Sequence, residues 1–249
     1  MKFDPENIDL GPDMDGRMRN PPPIENPWLR LPSQAPYVLE IDRECIESYN
    51  ENQHNPDRKV DTSLIPEPFI GDTKSAKLVL LNLNPGRAEK DPEAHADPDF
   101  REAMFRNLRH EAQKYPFYPL SPKFGQTPCG HWWLEHTREL IDGCDLASVA
   151  KRLLVIEWFP YHSVKSALTA GRPLCESQEY SFQLARQMSD RGVLMALLRS
   201  KQHWVNVDDR FAELQLPRSR QSPFITRNNF GGDLFERMRE ALGCNSGKP

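Results

Sequence analysis

Asn84-Pro85-Gly86-Arg87 follows directly on the apolar run from Leu78 to Leu83, and this junction brings together residue types suited to chemistry. An apolar run of that length reads as a strand, and in open α/β sheets ligands bind outside the carboxyl ends of strands. Asn84 is then placed where a side-chain amide can hold and orient a water molecule, although an amide has no useful basicity near neutral pH. Pro85 fixes φ and lacks an N–H, Gly86 lets backbone approach a ligand without a Cβ in the way, and Arg87 adds a cation. An ordinary strand-to-turn exit uses the same residues, so this motif alone assigns no function.

A second apolar run, Leu153 to Ile156, ends in Glu157-Trp158-Phe159-Pro160 and continues as Tyr161-His162-Ser163, a second polar cluster at a strand's carboxyl end. As a histidine, His162 can donate a hydrogen bond or bind a phosphate. Between the two runs, Phe117 and Tyr118 stand among prolines, and Trp132 and Trp133 read as packing at a helix start. From Leu214 to Arg227 the chain carries Arg218, Arg220 and Arg227 and no acid, which suits phosphate contacts or a solvated loop equally.

These residues need a scaffold, and the rest of the chain describes one. Its 249 residues, with 38% apolar residues and a mean hydropathy of −0.70, suffice for one α/β core plus an extension. No apolar run approaches the length of a membrane span, and the acidic start has no apolar leader, so an intracellular, cytoplasmic protein is expected. A net charge of −4 argues against a protein that coats nucleic acid. Five cysteines with no Cys-x-x-Cys pair are read as reduced thiols, with no metal cluster signalled. Prolines at 21–23, 27, 32 and 36 predict an irregular arm anchored by Trp28, Leu29 and Leu31. Helices are predicted at about 38–52, 99–114, 131–141, 177–199 and 233–242, and strands at 77–83, 152–158, near 203–207 and near 224–226. Strands separated by helices predict a mainly parallel central sheet flanked by helices.

Four stretches in order resemble the uracil-DNA glycosylase superfamily. Leu81-Asn82-Leu83-Asn84-Pro85-Gly86 resembles its first motif, which reads Gly-x-Asn-Pro-Gly in the mismatch-specific and single-strand-selective branches. Gly130-His131-Trp132-Trp133-Leu134 is similar to its aromatic helix entry, Leu153 to Pro160 to its second core strand ending in Asn-x-x-Pro, and Ser222 to Phe235 to its final motif and Phe-Gly turn. The likeness spans residues 78–242, and only the first motif is sharp.

The resemblance implies a uracil-DNA glycosylase-like α/β domain over 76–243, preceded by an arm and lead-in over 1–75. It implies a monofunctional enzyme, monomeric and without cofactor or metal, that hydrolyses the bond between a flipped base and deoxyribose in single- or double-stranded DNA. Asn84 and His162 take the catalytic places; Leu83, Pro85, Gly86, Phe117, Tyr118, Glu157 and Tyr161 those around the base; Arg87, Arg218, Arg220 and Arg227 those along the DNA. The chain departs from the family where Glu157 replaces the base-reading Asn and where the final-motif His is missing. An ionised Glu157 can only accept, which would favour an amino-bearing base over uracil and suggests a defence glycosylase against modified cytosine as one alternative. A binding protein of the same fold that has lost catalysis is the other.

Overall fold

The computed structural model describes residues 25–219 and 223–244. Four strands form one sheet in the order β1-β3-β2-β4: Phe69–Ile70 (β1), Leu78–Asn82 (β2), Leu153–Glu157 (β3) and Leu194–Leu197 (β4). Every residue of β2 and β3 is buried, as continuous apolar runs covered on both faces require. They pair in parallel register from Leu78 beside Leu153 to Asn82 beside Glu157. The expected mainly parallel sheet is corrected here. It is mixed, because β1 runs antiparallel to β3 while β4 runs parallel to β2. Pro66 and Pro68 flank Glu67 just before β1, and residues unable to donate ladder bonds belong at a sheet edge.

Two other expectations also change. The predicted helix over 177–199 stops at Asp190 (α6, Gln178–Asp190), since Gly192 adopts φ 66° and turns the chain into β4. The segments expected as strands near 203–207 and 224–226 are a helix, Lys201–Val205 (α7), and backbone outside the sheet in which the Ile225 N–H donates to the carbonyl of His136.

The other helices are Arg43–Glu51 (α1), Asp91–Ala96 (α2), Pro98–Leu108 (α3), Pro128–Thr137 (α4), Leu146–Arg152 (α5), Arg227–Phe230 (α8) and Gly232–Leu242 (α9). Their starts are written in the sequence. Asp97, Thr127 and Asp145 each accept a backbone N–H of the first turn, from Phe100, Gly130 and Ser148, and proline at the first turn assists α3 and α4. Gly130 is required by close approach, because a Cβ there would run into the carbonyl oxygen of Phe124. The helix α6 packs on β3 and α9 on β2, flanking the sheet.

Residues 25–39 lie on the domain. Trp28 is buried with its ring 6.1 Å from that of Tyr161, and Asn26 Nδ2 donates to the carbonyl of Leu108 at 2.7 Å. Leu31 is buried as well, whereas Leu29, the third expected anchor, is exposed. The expected arm before residue 25 lies outside the described residues. Cys144 and Cys244 form a disulfide, correcting the expectation that all five thiols are reduced. None of the described helices is long and apolar enough to cross a membrane.

Candidate active site

The parallel register sets Asn82 and Glu157 side by side at the carboxyl ends of β2 and β3. Beyond the strands the two chains stay together. The N–H groups of Trp158 and Phe159 donate to the carbonyls of Asn82 and Leu83 at 3.2 and 2.8 Å, and Gly86 bridges to Ser163. A cavity of about 330 Å³ opens between these loops, the first turns of α4 and Arg199 after β4.

Its floor is polar and buried. Asn82 Nδ2 donates to Glu157 Oε1 at 2.9 Å, which leaves Asn82 Oδ1 and Glu157 Oε2 buried with no protein partner. Burial pushes the Glu157 carboxyl up to about 8, aided by the nearby Glu67 and opposed by the Asn82 hydrogen bond and Arg199. Glu157 is therefore a neutral acid at pH 7, carrying one hydroxyl donor, and the expected ionised acceptor is corrected. Water cannot stabilise the charged form in this position.

A second carboxyl, Glu67, accepts the hydroxyl of Tyr118 and faces the Cys129 thiol at 3.8 Å. Burial raises the Glu67 pKa, with His162 opposing, and burial with Glu67 drives the Cys129 thiol well above its usual range. Cys129 thus stays protonated and is a poor nucleophile. Asp91 is raised chiefly by burial while accepting the N–H of Ala88 at 2.6 Å.

On the wall, Asn84 Nδ2 donates to Ser163 Oγ at 3.1 Å and to the carbonyl of Pro85 at 3.0 Å. Its Oδ1 has no partner among the described residues and remains available to a water. A Cβ at Gly86 would meet only open space, so backbone there is approachable. Leu83 and Pro85 also line the cavity, as does Arg87, whose Nε is held by Asp61 at 3.1 Å.

His162 lines the same cavity with its ring committed elsewhere: Nδ1 lies 2.7 Å from the carbonyl oxygen of Gly86 and Nε2 2.9 Å from that of Ile65. Both neighbours are acceptors, so the ring ties the Asn-Pro-Gly loop to the lead-in before β1 instead of reaching a departing group. Its neighbour His95 accepts the N–H of Ile65 at Nδ1, and burial together with His162 pushes its pKa well down.

Three expected base contacts lie outside the cavity lining. Phe117 is buried edge-on against Trp133. Tyr118 packs against Phe100 while reaching Glu67. Tyr161 turns to the opposite side and donates to Asp42 Oδ2 at 2.7 Å. With Trp133, Trp132 supplies the aromatic surface, both read from sequence as packing. The Trp132 ring stacks on His136 at 3.9 Å, and His136 stacks on Phe224 at 4.3 Å.

The arginines divide. Arg227 pairs with Glu236 and lies over the Phe235 ring, Arg218 is exposed away from the cavity, and Arg220 lies outside the described residues. Arg199 is exposed on the cavity rim and forms no ion pair among the described residues.

Sequence reading missed Glu67, Asn82, Cys129 and Arg199. Asn82 had a readable signal, a polar side chain ending an otherwise apolar buried strand.

The arrangement can present one donor and one acceptor to the edge of a planar heterocycle and hold a water at Asn84. Comparison with family models, curated proteins and solved structures finds no match to this chain.

Proposed function

We propose that the chain is a monofunctional DNA glycosylase-like enzyme that holds a flipped base in this cavity and hydrolyses its N-glycosidic bond. The observation that carries the reading is the floor pair: Glu157 Oε2 and Asn82 Oδ1, buried, adjacent and unpartnered. Such a pair is costly to leave empty and complements a base edge with one carbonyl and one N–H. Uracil O4 and N3–H fit directly, with the Glu157 hydroxyl donating and Asn82 Oδ1 accepting. Cytosine fits only with the partners exchanged, so the neutral acid withdraws the argument for a modified-cytosine substrate.

In this mechanism a water held by Asn84 Oδ1 attacks C1′ as the bond to the base breaks; C1′ keeps the hydroxyl, and the water's other proton passes through solvent to the departing base. The base leaves with the electron pair, and the Glu157 hydroxyl strengthens its hydrogen bond to the oxygen where that charge collects. Arg199 and Arg87 supply positive charge toward the sugar-phosphate chain. No cofactor enters the scheme.

A second reading, base or nucleotide binding without hydrolysis, is favoured by the commitment of both His162 nitrogens to carbonyls. Incubation with DNAs containing uracil, thymine mismatches or modified cytosines, followed by alkali, decides between them. Strand breaks with one substrate support the enzyme; tight binding to a base-containing oligonucleotide with no breaks supports the second reading.

A further inference from the structure

Asp42, Cys45 and Cys175 meet away from the cavity, around the hydroxyl of Tyr161. Their ligand atoms all lie within 4.8 Å of one another, and the two sulfurs are 2.9 Å apart. Two separate parts of the chain supply them: Asp42 and Cys45 come from the start of α1, and Cys175 from the segment leading into α6. Asp42 is fully buried. It accepts the Tyr161 hydroxyl at 2.7 Å and the N–H of Ser177 at 3.1 Å, and it has no cationic partner among the described residues. The Ser177 hydroxyl is itself buried without a partner, on the residue whose N–H already touches Asp42.

We infer that Asp42, Cys45 and Cys175 form a binding site for a thiophilic divalent cation of the zinc type, with a water in the fourth position held by Ser177 Oγ. Two thiols and a carboxylate are a zinc donor set, and the bound cation supplies the charge that buried Asp42 lacks. With Zn–S bonds of about 2.3 Å, tetrahedral sulfurs stand roughly 3.8 Å apart, so the thiols need only open slightly. Binding releases two thiol protons to solvent and leaves two thiolates on the metal. A disulfide between Cys45 and Cys175 would satisfy the sulfurs but leave Asp42 and Ser177 as they are. The Tyr161 hydroxyl, hydrogen-bonded to the ligand carboxylate, fixes its orientation in the manner usual for ligating groups.

The test uses the full chain, reduced and stripped with a chelator, and cobalt(II) as the probe. One equivalent should produce the intense sulfur-to-cobalt charge-transfer band and the visible bands of a tetrahedral site, and zinc(II) should abolish both. Cys45→Ser, Cys175→Ser and Asp42→Asn should each weaken cobalt binding at least about tenfold, while Cys129→Ser leaves it unchanged. A readout on the unmodified chain guards against misfolded variants: zinc(II), but not magnesium(II), should protect Cys45 and Cys175 from alkylation. No saturable cobalt band in the wild type, a band that survives Cys45→Ser, or alkylation unaffected by zinc would overturn the site. So would a Cys45–Cys175 disulfide in chain purified without reductant, if its reduction yields no metal uptake.

Discussion

Replacing Glu157 with Gln should change how the stability of this protein responds to pH, with a magnitude set by burial. In the folded chain Glu157 keeps its proton up to about pH 8, whereas unfolded it releases the proton near the ordinary 4.5. Between those values folding takes up a proton, so the free energy of unfolding falls with rising pH by about 1.4 kcal/mol per pH unit. The contribution is fully present below about pH 4.5 and lost by about pH 8, some 5 kcal/mol in all. Glutamine keeps the shape and an acceptor for Asn82 Nδ2 but does not titrate. The stability of the variant relative to wild type should therefore rise by about 4 kcal/mol from pH 4.5 to 8, most of it above pH 5, the rest of the roughly 5 kcal/mol falling just outside that window. Urea unfolding followed by tryptophan fluorescence at half-unit pH intervals measures this difference, and Glu67 and Asp91, present in both proteins, largely cancel. Parallel stability curves across the window would refute the reasoning, showing that Glu157 is ionised in the fold and that the cavity floor is wet.

Other outcomes follow from the same geometry. Excision of uracil should decline as pH rises through about 8, the value to which burial lifts Glu157, and Glu157→Gln should flatten that limb in single-turnover assays. Asn84→Ala should slow excision at least about tenfold with little change in DNA affinity, because an ordered water contributes mainly at the transition state; an unchanged single-turnover rate would remove Asn84 from the chemistry. Arg199→Ala should weaken oligonucleotide binding and shallow its salt dependence by a slope of about 1 if it contacts one phosphate, and an unchanged slope would place it on an idle rim. Reducing the Cys144–Cys244 bond, which links residues 100 apart in sequence, should lower the unfolding free energy by up to about 4–5 kcal/mol, measurable as an earlier urea midpoint.

What was legible in the sequence depended on how uniform each segment's environment is. Leu78–Asn82 and Leu153–Glu157 announce themselves because strands buried on both faces are apolar throughout. Leu194–Leu197 was absorbed into the preceding helix, since an apolar run continuing a helical pattern looks the same in either state and only Gly192 marks the break. At the site, the Asn-Pro-Gly turn and Glu157 fell where strand ends must put them. Glu67 did not, because a carboxylate between two prolines reads as a surface loop until the fold buries it. The protonation of Glu157 was out of reach for the same reason. Charge on a carboxyl is decided by the surfaces packed over it, here β1 and the lead-in, which sequence spacing does not reveal. Tyr161 and His162, adjacent in sequence, show the same limit at the scale of one residue, with Tyr161 reaching Asp42 and His162 the cavity wall.

Cys144 and Cys244 turn the chain between them into a closed covalent ring, while everything before Cys144 remains an open thread. The cavity is assembled from both: Glu157, His162, Ser163 and Arg199 belong to the ring, and Glu67, Asn82, Asn84 and Trp132 to the thread. The surface stretch after Ser163, where residues 164–166 and 171–173 are exposed, lies inside the ring. A protease that cuts there opens the ring without releasing any part of the molecule. The nicked chain gains only the mass of one water, and both sides of the cavity stay tethered to Cys144; two fragments separate only when the bond to Cys244 is also reduced.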